Sequence, residues 1–367
     1  MRILHMGPNE FPQLSVQHPT KLIWKELSNG IEQYHVLGRS QTNQRFHDVE
    51  DNIHLHLMRK NKSSKSFFFT SLYAFTIVRK HKVDAIVSQC PILGGFTAII
   101  IKKIYRVPVL IEIHGMEYFR YLNSKNLLHY PIKFIIKFVF KNATKVRSLS
   151  PKMTELLYKS KVKANIVEIP NRVNLSIFNS PKTDFALKNP IKIVSVGRFV
   201  WEKGYEFAID AIKIISQSYP VELHLIGGGI LKQKYIDLIG ECNFIHLYDR
   251  IPQHEFMRFI NDADIYIQTS VSEGMPRTLL EAMALRLPII TTDVGAISGI
   301  MFNQINCLLI ESGNVDSIVQ AVVRLVNDAE LRVSLANRAY YEATNIYEWN
   351  KVFTKYQNEI ITMVNKI

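Results

Sequence analysis

Short apolar, β-branched runs alternate with longer apolar-periodic stretches along nearly the whole chain. The short runs fall at 2–6, 33–37, 84–87, 109–113, 145–148 and 166–169, then at 191–196, 221–226, 244–248, 265–268 and 289–292. Between them the pattern predicts helices over 22–27, 67–78, 96–104, 127–140, 205–215, 278–285, 315–326 and 331–346, with a last helix running to 367. Strand alternating with helix is the signature of βαβ units and parallel sheets. Gly7-Pro8 reads as the turn that closes the first strand, and Gly94-Gly95 as a break before the helix at 96. The apolar stretch 67–78 suits a core helix and is too short to span a bilayer; no run of about 18 uncharged apolar residues exists.

The richest stretch surrounds the strand at 265–268. A turn at Ser272-Glu273-Gly274 follows it, and Pro276 reads as the first helical position, where its missing N–H costs nothing. Pro288 ends the helix before the strand at 289–292. A strand, tight loop and helix in this order bind phosphorylated ligands, because free N–H groups and the helix dipole meet at the helix start. Glu273 precedes the helix, and Glu281 lies five residues beyond Pro276, roughly 8 Å along the axis. Each alone passes for an ordinary turn or helix residue. Glu281, however, sits among Leu279, Leu280, Ala282, Met283 and Ala284, where an unpaired carboxylate is expensive.

Two further loops follow strands in the same half. Gly197-Arg198 and Lys203-Gly204 place two cations five residues apart beside a helix start. Such a pair can hold a diphosphate and absorb the charge that develops as it leaves. Gly227-Gly228-Gly229 fits a tight turn with close ligand approach. Asp262-Ala-Asp264 has the Asp-x-Asp form of some metal sites; ending one helix and starting a strand, it reads as turn and capping chemistry. No other cluster shows metal-ligand spacing, so metal-independent chemistry is expected.

In the first half His114-Gly115 ends the strand at 109–113, the edge that faces the crevice in doubly wound sheets. Lys133, Lys137 and Lys141 recur every four residues along 127–141 and form one helical stripe amid apolar residues. Two readings stand: an interfacial membrane helix, or a core helix whose lysines reach out to water. Charge favours the first. The net charge is +13, yet residues 1–180 hold 27 Lys/Arg against 11 Asp/Glu (+16) and residues 181–367 hold 18 against 21 (−3). Arg59, Lys60, Lys62 and Lys65 add to the basic half. That asymmetry suits an anionic membrane or a polyanion. Cys90, Cys242 and Cys307 are too few and too scattered for a disulfide framework or a Cys-type zinc site and suit the cytosol. Met1-Arg2-Ile3-Leu4-His5 reads as a short strand, too short for a secretory signal.

Glu-Gly-Met-Pro at 273–276, Leu-Leu-Glu-Ala-Met-Ala at 279–284 and Pro-Ile-Ile-Thr-Thr-Asp-Val-Gly at 288–295 resemble the signature of the family 4 retaining glycosyltransferases. The resemblance implies an α/β chain of the GT-B fold, two Rossmann-like doubly wound domains facing across a cleft. An acceptor-side domain would span 1–175 and a nucleotide-sugar domain 176–349, with a terminal helix at 350–367 crossing back. It further implies donor contacts at Gly7, Gly197, Arg198, Lys203, Gly229, Ile251, Glu273, Gly274, Met275, Pro276 and Glu281. Arg198 and Lys203 would hold the diphosphate, Glu281 the ribose and Glu273 the donor sugar, while His114 would stand on the acceptor side. Ile251 follows the strand at 244–248, a region beside the base in the family. The expected reaction is sugar transfer from a UDP- or GDP-linked donor to an acceptor hydroxyl with retention and no cofactor. The acceptor would be a lipid-linked saccharide at the inner face of the plasma membrane, in bacterial surface-polysaccharide assembly. Two alternatives are a nucleotide-sugar epimerase on the same fold and a non-catalytic basic binding protein.

Overall fold

The computed structural model describes residues 1–16, 18–59 and 67–365; Lys60, Lys62 and Lys65 lie outside them. The chain divides into two compact units. One comprises Met1–Leu149, Met153–Ile169 and Phe353–Ile367, the other Ser150–Lys152 and Pro170–Val352. The main division therefore falls a few residues before the expected 175, and the returning segment begins at 353 instead of 350.

The first unit runs β1 (Arg2–Phe11), α1 (Pro19–Ser28), β2 (Gln33–Ser40), β3 (Phe46–Glu50), β4 (Ile53–Met58), α2 (Phe67–His81), β5 (Ala85–Ser88), α3 (Leu93–Tyr105), β6 (Val109–Glu112), α4 (Glu117–Asn123), α5 (Tyr130–Asn142), β7 (Lys145–Ser148), α6 (Pro151–Lys159) and β8 (Asn165–Glu168). Its sheet has the order β3-β4-β2-β1-β5-β6-β7-β8. Every neighbouring pair is parallel except β3 with β4.

Three expectations change here. Gly7-Pro8 makes no turn: β1 continues to Phe11, with a register shift between Met6 and Glu10 that absorbs the proline. Gly94 and Gly95 lie inside the first turn of α3 and do not break the chain. A Cβ there would come within 2.8 Å of the Phe67 ring and 2.9 Å of Val139, so α3 packs this close only without side chains. The pair β3–β4 escaped the apolar pattern because histidines and charges alternate with its apolar residues.

The second unit runs β9 (Ile191–Val196), α7 (Tyr205–Ile215), β10 (Val221–Ile226), α8 (Lys232–Ile239), β11 (Ile245–Tyr248), α9 (Gln253–Asn261), β12 (Ile265–Gln268), α10 (Arg277–Ala284), β13 (Ile289–Thr292), β14 (Leu308–Ile310), α11 (Val315–Asn327), α12 (Ala329–Asn345) and α13 (Trp349–Val364). From Phe353 onward α13 belongs to the first unit. There Lys145 Nζ bonds Glu359 Oε2 at 2.6 Å, and Gln357 donates to the Glu26 carbonyl at 3.0 Å. The sheet order is β11-β10-β9-β12-β13-β14, parallel throughout. Ile193, Leu223, Leu225, Ile265 and Ile267 form its buried floor with Ile212 of α7 and Val322 of α11. From β9 the order runs outward to β10 and β11 on one side, and to β12, β13 and β14 on the other. The reversal between β9 and β12 opens a crevice beyond their carboxyl ends, where ligands bind in sheets of this kind.

Candidate active site

The loops that leave β9 and β12 meet at this reversal and are tied together. The Glu202 carbonyl accepts the Val271 N–H at 2.8 Å, and the Thr269 hydroxyl donates to the Gly204 carbonyl at 2.9 Å. Gly204 has φ +58°, and a Cβ there would lie 2.5 Å from the Thr269 carbonyl oxygen, so the join requires glycine. The tie brings together residues seventy apart in sequence. Lys203 Nζ donates to Glu273 Oε1 at 2.5 Å, and that oxygen also accepts from the Ser270 hydroxyl at 2.7 Å and from Gln268 Nε2 at 3.5 Å. Both side chains of the pair are largely buried, so solvent screens their attraction weakly.

Beside this pair α10 begins. Pro276 is its N-cap, one position earlier than expected, and offers no side-chain cap to the amides of the first turn. Gly274 is half-buried, whereas Met275 and Pro276 are buried. Met275 is held from below: its carbonyl accepts Asn171 Nδ2 at 2.6 Å and its sulfur the Asn171 N–H at 3.1 Å. Met275 and Pro276 therefore shape the loop from within and offer a ligand backbone only. Glu281 lies one turn into α10. Burial pushes its carboxyl up to about 7, opposed by Arg277 a turn earlier. The buried carboxyl therefore holds a proton more readily than an exposed one.

The loops after β10 and β11 complete the crevice. A Cβ on Gly227 would stand 1.8 Å from the Gly197 carbonyl oxygen, and one on Gly229 would stand 2.4 Å from that of Phe199. The glycines let the two loops pack backbone to backbone, with the Phe199 N–H on the Gly228 carbonyl at 2.9 Å. A cavity of about 490 Å³ opens here, lined by Gly197, Arg198, Gly227, Gly228, Arg250, Ile251 and Phe256 among others. Arg198 is exposed at its rim. The second unit thus gathers Gly197, Arg198, Lys203, Gly229, Ile251, Glu273, Gly274 and Glu281 around the carboxyl ends of adjacent strands. Arg250 and Phe256 line the same cavity and were not singled out from sequence. Phe256 lies on α9, a helix the apolar pattern did not delimit.

Gly7 and His114 belong to the first unit. Gly7 lies within β1, and a side chain there would meet Gln89 Oε1 at 2.6 Å. His114 is half-exposed just past β6, its Nε2 3.2 Å from Glu112 Oε2. Glu112 itself is buried: Arg147 Nη1 sits 2.6 Å from Oε1, and His5 Nε2 lies 3.7 Å from Oε2. Burial alone would raise its pKa; Arg147 and the two imidazoles outweigh burial and hold it well below the usual carboxylate range. His5 Nδ1 pairs in turn with the Tyr34 hydroxyl at 2.5 Å. Glu112 and His114 are two residues apart on an extended segment and so share a face. That Glu-x-His spacing was the available signal for the anchor, lost in an apolar run.

On α5, Ile136, Val139 and Phe140 are buried, while Lys137 and Lys141 are exposed. Lys133 is half-buried and donates to the Ser124 carbonyl at 3.2 Å. The exposed side also carries Phe134, with Leu127 and Leu128 in the turn before the helix. One face is therefore core, and the other mixes two lysines with exposed apolar groups. Among the described residues no helix is long and apolar enough to cross a membrane. Asp264 accepts the Lys192 N–H at 2.9 Å and Asp262 pairs with Lys188 at 2.7 Å, so both carboxylates are engaged in turn and strand-start contacts.

A parallel sheet whose strand order reverses beside the Lys203–Glu273 pair defines a doubly wound α/β unit. The family model "Glycosyl transferases group 1" matches residues 178–342, and "Glycosyltransferase Family 4" matches residues 28–177. The chain belongs to the family 4 glycosyltransferases. It is 27% identical over 278 residues to an uncharacterized glycosyltransferase of Methanocaldococcus jannaschii, covering 75% of this chain and 74% of that one. It is 28% identical over 174 residues to the capsular polysaccharide biosynthesis glycosyltransferase CapM of Staphylococcus aureus, 44% of each chain. The solved structure of HepE from Anabaena in complex with UDP-glucose superposes with a TM-score of 0.74 at 15% identity, over all of both chains. That structural likeness, with others, identifies the fold as GT-B.

Proposed function

We propose that this glycosyltransferase moves a sugar from a UDP- or GDP-linked donor to an acceptor hydroxyl with retained anomeric configuration and without a metal ion at the reacting centre. The observation that carries the reading is the Lys203–Glu273 pair beside the uncapped start of α10. The donor diphosphate rests against the first-turn amides and between Arg198 and Lys203, which take up the charge of the leaving group. Glu281 bonds the ribose hydroxyls, the cavity by Arg250, Ile251 and Phe256 receives the base, and Glu273 positions the sugar. His114, steadied by Glu112, serves the acceptor side. The relative solved with UDP-glucose supports the donor class, and the capsular relative supports an acceptor in bacterial surface-polysaccharide assembly. The test of retention is the anomeric configuration of the product by NMR: an α-linked donor gives an α-linkage, and a β-linkage overturns the reading.

The acceptor is a lipid-linked saccharide, and the first unit meets an anionic membrane through α5. Phe134 is 70% exposed, and Leu127 and Leu128 are 78% and 82% exposed, beside Lys137 and Lys141. Exposed apolar groups interleaved with lysines are what an interfacial contact needs. Vesicles with anionic lipid should sediment the parent protein and much less of the Lys137→Glu, Lys141→Glu, Phe134→Ser variant. Equal binding of the two proteins contradicts the contact.

A further inference from the structure

We infer that Glu222, His224 and His246 form a binding site for one divalent transition-metal ion, with Zn²⁺ as the reference ion, at the edge of the second unit's sheet. Glu222 and His224 stand two residues apart on β10 and so share a face. His246 on the edge strand β11 is the direct ladder partner of His224. One ligand atom from each of the three lies within 4.8 Å of the other two, and all three residues are half-buried. No sequence spacing betrays this set, because strand register brings the third ligand in from 22 positions away.

The geometry of His224 favours an ion over a hydrogen bond. Its Nδ1 lies 3.2 Å from the Tyr248 hydroxyl, which holds the ring in place and leaves Nε2 as the free donor atom. That Nε2 stands 3.4 Å from Glu222 Oε2, yet it is buried and has no hydrogen-bond partner. Two ligands about 2.0–2.1 Å from a tetrahedral ion are about 3.3 Å apart, which is the separation found. The His246 ring stacks on His224 with centroids 4.9 Å apart and needs only a side-chain rotation to join. Lys192, the ladder partner of Glu222 on β9, is held by Asp262 at 2.5 Å. Phe259 packs on the His224 ring with centroids 6.0 Å apart. Two imidazoles and a carboxylate suit Zn²⁺, with water completing the shell.

The site lies three residues upstream of Gly227, about 10 Å along β10 from the donor loops, so it pins the edge strand and takes no part in sugar transfer. The test is a Zn²⁺ titration of the full chain, without a polyhistidine tag, after chelator dialysis. A second histidine cluster on the first unit (His35, His47, His54, His56 and His81) supplies the control, because its rings also stack within 6.4 Å. The parent should bind one equivalent. His246→Gln and Glu222→Gln should each weaken binding about tenfold or more, while His54→Gln leaves it unchanged. Binding that survives His246→Gln, or that His54→Gln removes, overturns the site. If the strand variants fold poorly, X-ray absorption at the zinc edge of the parent decides: two imidazoles support the site, and any other count rejects it.

Discussion

Lys203 and Glu273 touch across seventy residues of sequence, at 2.5 Å, where the loops of β9 and β12 are tied. In the proposed function a diphosphate claims Lys203 and releases Glu273 to the sugar. Glu273→Gln should lower kcat about 10²- to 10³-fold while changing the donor Kd by less than about tenfold. Paired kcat and Kd measurements check this. A loss confined to Kd would contradict the assigned role.

Arg198 lacks such a restraint; it is exposed at the cavity rim. Arg198→Ala and Lys203→Ala should each cost about 1.5–3 kcal/mol of nucleoside-diphosphate affinity, roughly ten- to a hundredfold. Calorimetry with the diphosphate and with the free nucleoside separates the effects, because the nucleoside should bind the variants as it binds the parent.

Glu281 links function to stability. Its pKa rises from 4.5 unfolded to about 7 folded. The folded state thus prefers the protonated acid: the contribution is complete below pH 4.5, falls as pH rises through the window to 7, and is lost above it. The gap corresponds to about 3 kcal/mol. Glu281→Gln removes this slope and should stabilise the unliganded protein at pH 8 by up to about 3 kcal/mol, while weakening donor binding. Denaturant unfolding at pH 5 and pH 8 reads the first effect. A parent whose stability does not fall over this window contradicts it.

Neighbouring glycines give a paired test of the β10 loop. A Cβ on Gly227 meets the Gly197 carbonyl at 1.8 Å, while one on Gly228 meets nothing within 4 Å. Gly227→Ala should lose about 2 kcal/mol or more of stability together with the donor-induced thermal shift, and Gly228→Ala should lose neither.

The first unit holds a comparable dependence. Glu112 is buried against Arg147 at 2.6 Å. Arg147→Met strands that charge and should cost about 3–5 kcal/mol, whereas His114→Ala, on the exposed side, should reduce activity with little change in melting temperature.

The sequence disclosed the second unit more fully than the first. Four of its strands begin and end where the apolar runs do, because they are central and parallel, with β12 and β13 buried along their whole length. The signature around Glu273 and Glu281 is contiguous, and it lies on the loop after β12 and on α10 as its pattern predicts. Tertiary placement stayed hidden. Nothing in the string says that the Asn171 side chain locks Met275, that Phe256 lines the cavity beside Arg198, or that Glu112 holds His114. In the first unit, β3 and β4 carry histidines where an apolar period was sought, and Gly7-Pro8 imitates a turn that the β1 register shift avoids.

The most direct measurement is a thermal-shift screen of UDP- and GDP-sugars on the parent protein and on Arg198→Ala and Lys203→Ala. The account predicts that at least one nucleotide-sugar raises the parent's melting temperature, and that the shift shrinks sharply in both variants. A shift of equal size in all three proteins would place the donor elsewhere and contradict the account.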